Sequence, residues 1–160
     1  MNIRTATIAD LGIISEMEAK CFPPAEAASP EAFKQRLTYY PNHFWLLEEN
    51  GIAVSCINGF VTNATMLSDE MYADATQHDE NGDWQMIFGV MTLPQYQGKG
   101  YAARLMKQVI LDCQLQGRSG IVLTCKDKLV DFYEQFGYRN EGRSMSKHGG
   151  VSWNEMRLTL

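Results

Sequence analysis

Residues 3 to 8 alternate apolar and polar side chains as a half-buried strand does. From Asp10 the spacing becomes helical, with Leu11, Ile14, Met17, Glu18 and Cys21 on one face and Asp10 as the cap. Pro23 and Pro24 break that helix within CFPPAEAAS, a proline-hinged connection that reads as a candidate lid. Ser29 and Pro30 cap a second helix, EAFKQRLTYY, which Pro41 ends. HFWLLEENGIAVSCINGFVT predicts two strands joined at Glu49-Asn50-Gly51, where Asn and Gly supply positive φ. A polar connection over about 62 to 83 follows, and LSDEMYAD predicts a short helix inside it. Connections longer than ~15 residues in a compact domain are usually functional, which places this one near a substrate mouth.

WQMIFGVMTL, residues 84 to 93, is almost continuously apolar, as a central strand covered on both faces must be. The elbow LPQYQGKGY comes next. From Tyr101 onwards Ala102, Leu105, Met106, Val109, Ile110 and Cys113 trace one stripe of a helix that runs to about Gln116 and stops at Gly117. GIVLTC predicts a second buried strand, and KLVDFYEQF a short helix closed by Gly137. Strand, helix, strand and helix in that order imply a parallel βαβ crossover. YRNEGRSMS and VSWNEMRLTL then predict a closing hairpin around His148-Gly149-Gly150.

A chain of 160 residues is the length of one domain with a core of its own, and 45% apolar with 21% charged residues is a globular composition. No stretch approaches the ~20 apolar residues of a membrane span, and the N-terminus has no secretory pattern, so a cytoplasmic protein is expected. Cys21, Cys56, Cys113 and Cys125 lie far apart, with no CxxC pair and no His at ligand spacing. Buried thiols are expected, with no metal site and no redox motif. The net charge is −5, and no Lys or Arg occurs between Arg36 and Lys99, a window that holds eight acidic residues. Such a field disfavours nucleic acid and anionic lipid as partners and attracts small cations.

The elbow is the sharpest chemical signal. A Walker loop needs GxxxxGK[ST], but Gly98-Lys99 is followed by Gly100 and has Leu93 where the first glycine belongs. The dinucleotide fingerprint fails as well, since Tyr101, Ala102 and Ala103 follow the two glycines. What remains is Gln95-x-x-Gly98-x-Gly100 between a buried strand and a helix start, where trimmed side chains let backbone N–H groups surround an anion such as a pyrophosphate.

QYQGKG resembles the acetyl-CoA loop QxxGxG/A of the GNAT superfamily of N-acyltransferases, and the elements around it follow that family's order over nearly the whole chain. TCKDKLVDFYEQFGY and CFPPAEAAS are similar to arylalkylamine (serotonin) N-acetyltransferase and its microbial relatives. The resemblance implies a single GNAT domain over residues 1–160. Its fold would be α/β (α+β), a mixed, mostly antiparallel sheet with about four helices, splayed between the fourth and fifth strands, here WQMIFGVMTL and GIVLTC. Acetyl-CoA would be the co-substrate, with no metal. Phe88, Gly89 and Val90 would meet the pantetheine arm as an added strand would. Amides across Tyr96, Gln97, Gly98, Lys99, Gly100 and Tyr101 would hold the diphosphate.

The resemblance also makes Tyr133, in DFYEQFGY, the general acid towards the coenzyme sulfur, and an ordinary tyrosine pKa near 10 suits that task. Helical spacing turns Asp131 to solvent and Phe132 or Tyr133 to the core. The animal serotonin enzymes carry two histidines where this chain has Trp84 and Met86, neither of which accepts a proton. Glu18, His78 and Asp83 are the alternatives for the amine's proton. Phe22, Pro23, Trp84 and Met86, with Pro24, Trp45 and the Tyr39-Tyr40 pair, are candidates to line an acceptor pocket, and His148 is a further candidate at its border. The expected activity is acetyl transfer to a small primary amine, arylalkylamine-like or polyamine-like, by direct attack in a ternary complex, by a monomer or homodimer. A peptide or protein N-acetyltransferase and a non-catalytic acyl-CoA-binding module are the alternatives.

Overall fold

A computed structural model describes residues 1–160. The strands are β1 (Asn2–Thr5), β2 (Phe44–Glu49), β3 (Ile52–Asn58), β4 (Val61–Thr62), β5 (Trp84–Ile87), β6 (Gly89–Thr92), β7 (Gly120–Cys125), β8 (Arg139–Arg143) and β9 (Asn154–Thr159). The helices are α1 (Leu11–Cys21), α2 (Pro30–Tyr39), α3 (Asp69–Ala73), α4 (Tyr101–Leu115) and α5 (Val130–Glu134), in keeping with the expected number of about four. Helices and strands interleave along the chain, and the strands fall into two sheets. Two compact units make up the chain: Met1–Gly59 with Gly89–Val109, and Phe60–Phe88 with Ile110–Leu160.

The first unit is built on an antiparallel sheet in the order β1-β2-β3-β6. Asn50 (φ 52) and Gly51 (φ 78) make the β2–β3 turn, both in the left-handed region that the tight hairpin demands. Ile14 and Met17 of α1, Phe33 and Leu37 of α2, and Phe44, Leu46, Val54, Cys56 and Met91 of the sheet are buried. Each of the aliphatic and aromatic side chains among them contributes about 1.5–3 kcal/mol relative to exposure. Ser29 caps α2 by accepting the Ala32 N–H at 3.1 Å. The side chain of Asp10, the expected cap of α1, makes no cap hydrogen bond to that helix and serves the turn before it. Thr7 Oγ1 accepts the Ala9 N–H at 3.3 Å while the Asp10 carboxylate accepts the Thr7 N–H at 2.8 Å, so a 3-10 turn over Ile8–Asp10 replaces the end of the expected strand. Arg4 donates to both oxygens of Asp10 at 2.8 Å, which fixes that turn to β1.

The second unit holds the sheet β4-β5-β7-β9-β8, in which β5 and β7 run parallel and the other pairs antiparallel. Register sorts its two faces, because opposed residues share a face. Trp84 lies opposite Gly120, Met86 opposite Val122, Val122 opposite Arg157 and Thr124 opposite Glu155, so Trp84, Met86, Val122, Thr124, Glu155 and Arg157 are on one face. Gly120 is required by close approach: a Cβ there would stand 2.2 Å from the Leu158 carbonyl oxygen and 2.6 Å from the Trp84 ring. The opposite face carries Ile121, Leu123, Cys125, Met156 and Leu158, all buried.

The apolar run 84–93, expected as one strand, is two. Ile87 ends the pairing of β5 with β7 opposite Leu123, whereas Gly89 starts the pairing of β6 with β3 opposite Asn58. Phe88 belongs to neither. An unbroken apolar run is equally compatible with one buried strand or with two consecutive ones, so the break leaves no mark in the letters.

Candidate active site

In the first unit β6 is the last strand of its sheet and has a partner on one side only. The Leu93 N–H donates to the Val54 carbonyl at 2.8 Å, and antiparallel alternation therefore turns the backbone groups of Met91 and Gly89 towards β3 and those of Val90 and Thr92 towards the open edge. The Thr92 carbonyl accepts from Gln97 Nε2 at 3.0 Å and from the Cys21 thiol at 3.2 Å. Gln97 thus pins the elbow, and Val90 presents its N–H and C=O at the edge.

Pro94–Tyr96 form a 3-10 turn, and Gly98 (φ 77) and Gly100 (φ 84) then adopt a backbone that a side chain strains. At neither glycine would a Cβ find any atom within 4 Å, so open space lies over the loop. Helix α4 begins its ladder with the Arg104 N–H donating to the Gly100 carbonyl at 3.1 Å, which leaves the amides of Tyr101, Ala102 and Ala103 as the unpaired helix-start donors. The Tyr101 hydroxyl is occupied: it donates to Glu49 at 2.8 Å, and that bond to a carboxylate holds the phenol above its ordinary pKa. Tyr101 can therefore offer an anion its amide, and its ring anchors the helix start to β2. Lys99 Nζ stands 5.6 Å from the Tyr96 ring centroid, adding a cation to the loop. These residues fit a diphosphate by charge, by donor geometry and by space.

Glu18 is buried on α1 and its Oε2 accepts the Ala28 N–H at 2.9 Å, which folds the segment after Phe22 and Pro23 back onto the helix. Around the missing Cβ of Gly89 lie Asn58 Nδ2 at 3.2 Å and Glu18 Oε1 at 3.8 Å. Asn58 is fully buried, its Oδ1 accepts from Arg36 at 3.1 Å, and its Nδ2 has no partner in the protein. A buried amide donor without an acceptor costs about 1–3 kcal/mol unless water fills the niche.

In the second unit Tyr133 is 5% exposed on α5, while Asp131 is exposed, as the spacing predicts. Its ring meets Tyr138 at 5.8 Å and Phe132 at 5.1 Å. Burial, with a smaller contribution from Cys125, pushes the Tyr133 phenol well above the ordinary tyrosine range. It is a weaker acid than the expected value near 10, and it stays protonated at neutral pH.

The other sheet face is aromatic. Tyr72 of α3 lies 4.8 Å from Phe88 and stacks at 4.8 Å and 6° on His148, which in turn is 6.1 Å from Trp153. Phe88 meets Phe60 edge-on at 5.0 Å. The Tyr72 hydroxyl is 3.3 Å from Thr124 Oγ1. Asp69, three residues before Tyr72, accepts from the Ser146 hydroxyl and from the Lys147 N–H at 3.0 Å, and this latch sets the His148 turn against α3. His148 is thus half-buried against aromatics. Met86 is fully buried, and Trp84 lies beneath Arg157 at 4.8 Å. His78 accepts the Val61 N–H through Nδ1 at 3.0 Å and contacts Glu80 through Nε2 at 3.0 Å, so both ring nitrogens are engaged.

Glu155 carries no functional signal in the sequence pattern. Glu155 is 5% exposed, and its Oε1 accepts the Leu67 N–H at 3.2 Å. Burial raises its pKa above the ordinary glutamate value, with the Leu67 bond and Arg157 opposing. All four cysteines are free, three buried and Cys21 half-buried. No helix is long and apolar enough to cross a membrane.

Solved structures share this fold. The chain is similar to the loading GNATL domain of CurA from Lyngbya majuscula (TM-score 0.85, 17% identity, covering 99% of this chain and 96% of that one). It is likewise similar to the GphF GNAT-like decarboxylase in complex with isobutyryl-CoA (TM-score 0.86, 18% identity, 99% of both chains). The ribosomal-protein-S18-alanine N-acetyltransferase from Escherichia coli matches with a TM-score of 0.74 at 16% identity over 99% of this chain and 92% of that one. Residues 10–160 match the family described as the acetyltransferase (GNAT) domain. With that match covering nearly its whole length, the chain belongs to the GNAT acetyltransferase family.

Proposed function

We propose that the chain is a single GNAT domain that transfers an acetyl group from acetyl-CoA to a small primary amine by direct attack, without a covalent enzyme intermediate. The observation that carries this reading is the open elbow at Gly98 and Gly100, under the unpaired amides of α4 and beside the free edge of β6. Bound there, acetyl-CoA supplies an activated acyl carbon and a thiolate leaving group. The amides from Gly98 to Ala103 neutralise its diphosphate. The outward N–H and C=O of Val90 satisfy the amide-bearing pantetheine arm as a neighbouring strand would.

Tyr133 gives its phenolic proton to the departing sulfur and recovers one from solvent, to which the nitrogen releases its own proton as the amide forms. Its raised pKa makes it a donor of modest strength that is fully charged with its proton at working pH. The stacked rings of Tyr72, His148, Trp153 and Phe88 favour a planar aryl group on the acceptor, in line with the resemblance to arylalkylamine N-acetyltransferases. Glu18 and the buried Asn58 amide beside Gly89 are polar partners that suit a bound water next to β6.

A panel of phenethylamine, tryptamine and spermidine against N-terminal alanine peptides, scored by release of free thiol from acetyl-CoA, tests the reading. Turnover of an arylalkylamine is expected, with peptides at least tenfold poorer. Preference for the peptides would replace the small-amine reading with the peptide one, the activity carried by the E. coli enzyme of the same fold.

A further inference from the structure

The amine reaches an enzyme at neutral pH mostly as its ammonium ion, and Trp84 and Met86 of β5 accept no proton. The sheet face that carries these two side chains also carries Glu155, directly opposite Thr124 across the β7–β9 ladder. Opposed residues in such a ladder hold their Cβ atoms about 4.5–5.5 Å apart. Thr124 Oγ1 is in turn 3.3 Å from the Tyr72 hydroxyl, and Tyr72 stacks on His148 and tilts against Phe88. Glu155 therefore shares a ladder position with Thr124, whose hydroxyl neighbour Tyr72 belongs to the aromatic wall assigned above to the acceptor.

We propose that Glu155 is the group that takes the proton from the acceptor ammonium, reached past the hydroxyls of Thr124 and Tyr72. One N–H bond of the ammonium breaks, its electron pair stays on nitrogen as the nucleophile, and the proton makes the Glu155 carboxylate a neutral acid. The acid releases that proton to solvent before the next turnover. This inference rests on the amine-acetylation reading and names the base which that reading leaves open.

The surroundings suit the task. The Leu67 N–H holds one oxygen, Oε1, and so fixes the carboxylate from the loop side. Arg157, on the same face two residues along β9, is the nearest cation, and its guanidinium is committed to Glu141 of β8 at 2.9 Å and to the Trp84 ring at 4.8 Å. Glu141, the carboxylate paired with Arg157, also acts on Glu155 and favours its protonated form. Burial outweighs the Leu67 bond and Arg157 and favours the protonated form, which brings the carboxyl closer to the working pH of a general base.

Glu155→Gln separates this from a purely structural role, because the amide oxygen still accepts the Leu67 N–H while the proton acceptor is gone. With acetyl-CoA and the best of phenethylamine, tryptamine and spermidine, kcat/KM at pH 7 is expected to fall about 100-fold, in the range of general-base losses. The acid limb of its pH profile is expected to move up towards the pKa of the amine, with the acetyl-CoA Kd within twofold of wild type. Glu155→Asp keeps a carboxylate, and should keep the wild-type limb and part of the rate even if the Leu67 contact loosens. Glu155→Gln turning over within twofold of wild type, with the limb unmoved, overturns the proposal alone. A wild-type protein that binds acetyl-CoA by calorimetry but acetylates none of the three amines overturns the small-amine reading, and the proposal with it.

Discussion

The elbow between β6 and α4 and the polar spot on the β7–β9 face present two ways of building a site. The first is made of backbone: two glycines with φ of 77° and 84°, a helix start and a strand edge, all within one short stretch of chain. The second is made of side chains drawn from far apart, since Tyr72 meets Thr124, Asp69 meets Ser146, and Leu67 meets Glu155 across separations of 52, 77 and 88 residues. The difference teaches where each kind of change should act. Disturbing the elbow should remove binding of any acyl carrier. Disturbing the second unit should change which amine reacts, and how fast, on a carrier that still binds.

The largest effect is expected at the elbow. Gly100→Val places a branched side chain at φ 84 in the open space above the loop, and should raise the acetyl-CoA Kd on the order of 100-fold, equivalent to about 2.8 kcal/mol. Isothermal titration checks this. Tyr133→Phe should lower kcat about 10- to 100-fold at an unchanged acetyl-CoA Kd, at the modest end of general-acid effects because the buried phenol holds its proton tightly. An unchanged kcat would take the acid role away from Tyr133.

Acid titration sharpens the comparison further. Glu155 has a raised native pKa, so its contribution to stability is complete below the ordinary glutamate value of 4.5 and is lost as pH rises through the native value. Glu155→Gln should therefore be more stable than wild type at pH 8, and that gain should fade as the pH approaches 4.5. Asp10 is the reverse case. Its hydrogen bonds to Arg4 lower its pKa, so its contribution is present above the ordinary value of 3.8 and is lost as pH falls through the native value. Asp10→Asn should be less stable than wild type at pH 7, with the difference vanishing in strong acid. Urea unfolding from pH 3 to 8 reads both signs.

The smallest effect is expected at the latch. Asp69→Ala removes two hydrogen bonds to the His148 turn and should cost about 1–2 kcal/mol at most. The sharper readout is the imidazole proton resonance of His148, which stacking on Tyr72 displaces and which should move towards its unstacked position in the variant.

The same contrast explains what the letters disclosed. Asn50-Gly51, Ser29-Pro30 and Gly98-Lys99-Gly100 act through their own local dihedrals and donors, and each is found where pattern placed it. Helix α4 and its stop at Gly117 (φ 75) were equally legible, because the apolar stripe and the left-handed glycine are local signals. The break at Phe88 was not, because it is decided by which strand pairs with β5 and which with β6. In WNEMRL, residues 153 to 158, alternation assigns Glu155 to the polar face of a strand, and only Leu67 and Thr124, distant in sequence, turn that position into a buried carboxylate. His148 likewise reads as the tip of a glycine-rich turn until Asp69 and Tyr72 are set against it.

Amide resonances of the protein, recorded with coenzyme A and then with pantetheine, which lacks the diphosphate, test the central claim most directly. Coenzyme A should shift the amides of Gly98, Lys99, Gly100, Tyr101 and Ala102 more than any others, and pantetheine should leave those five in place. Binding of coenzyme A that spares these amides, or no binding at all, would contradict the account.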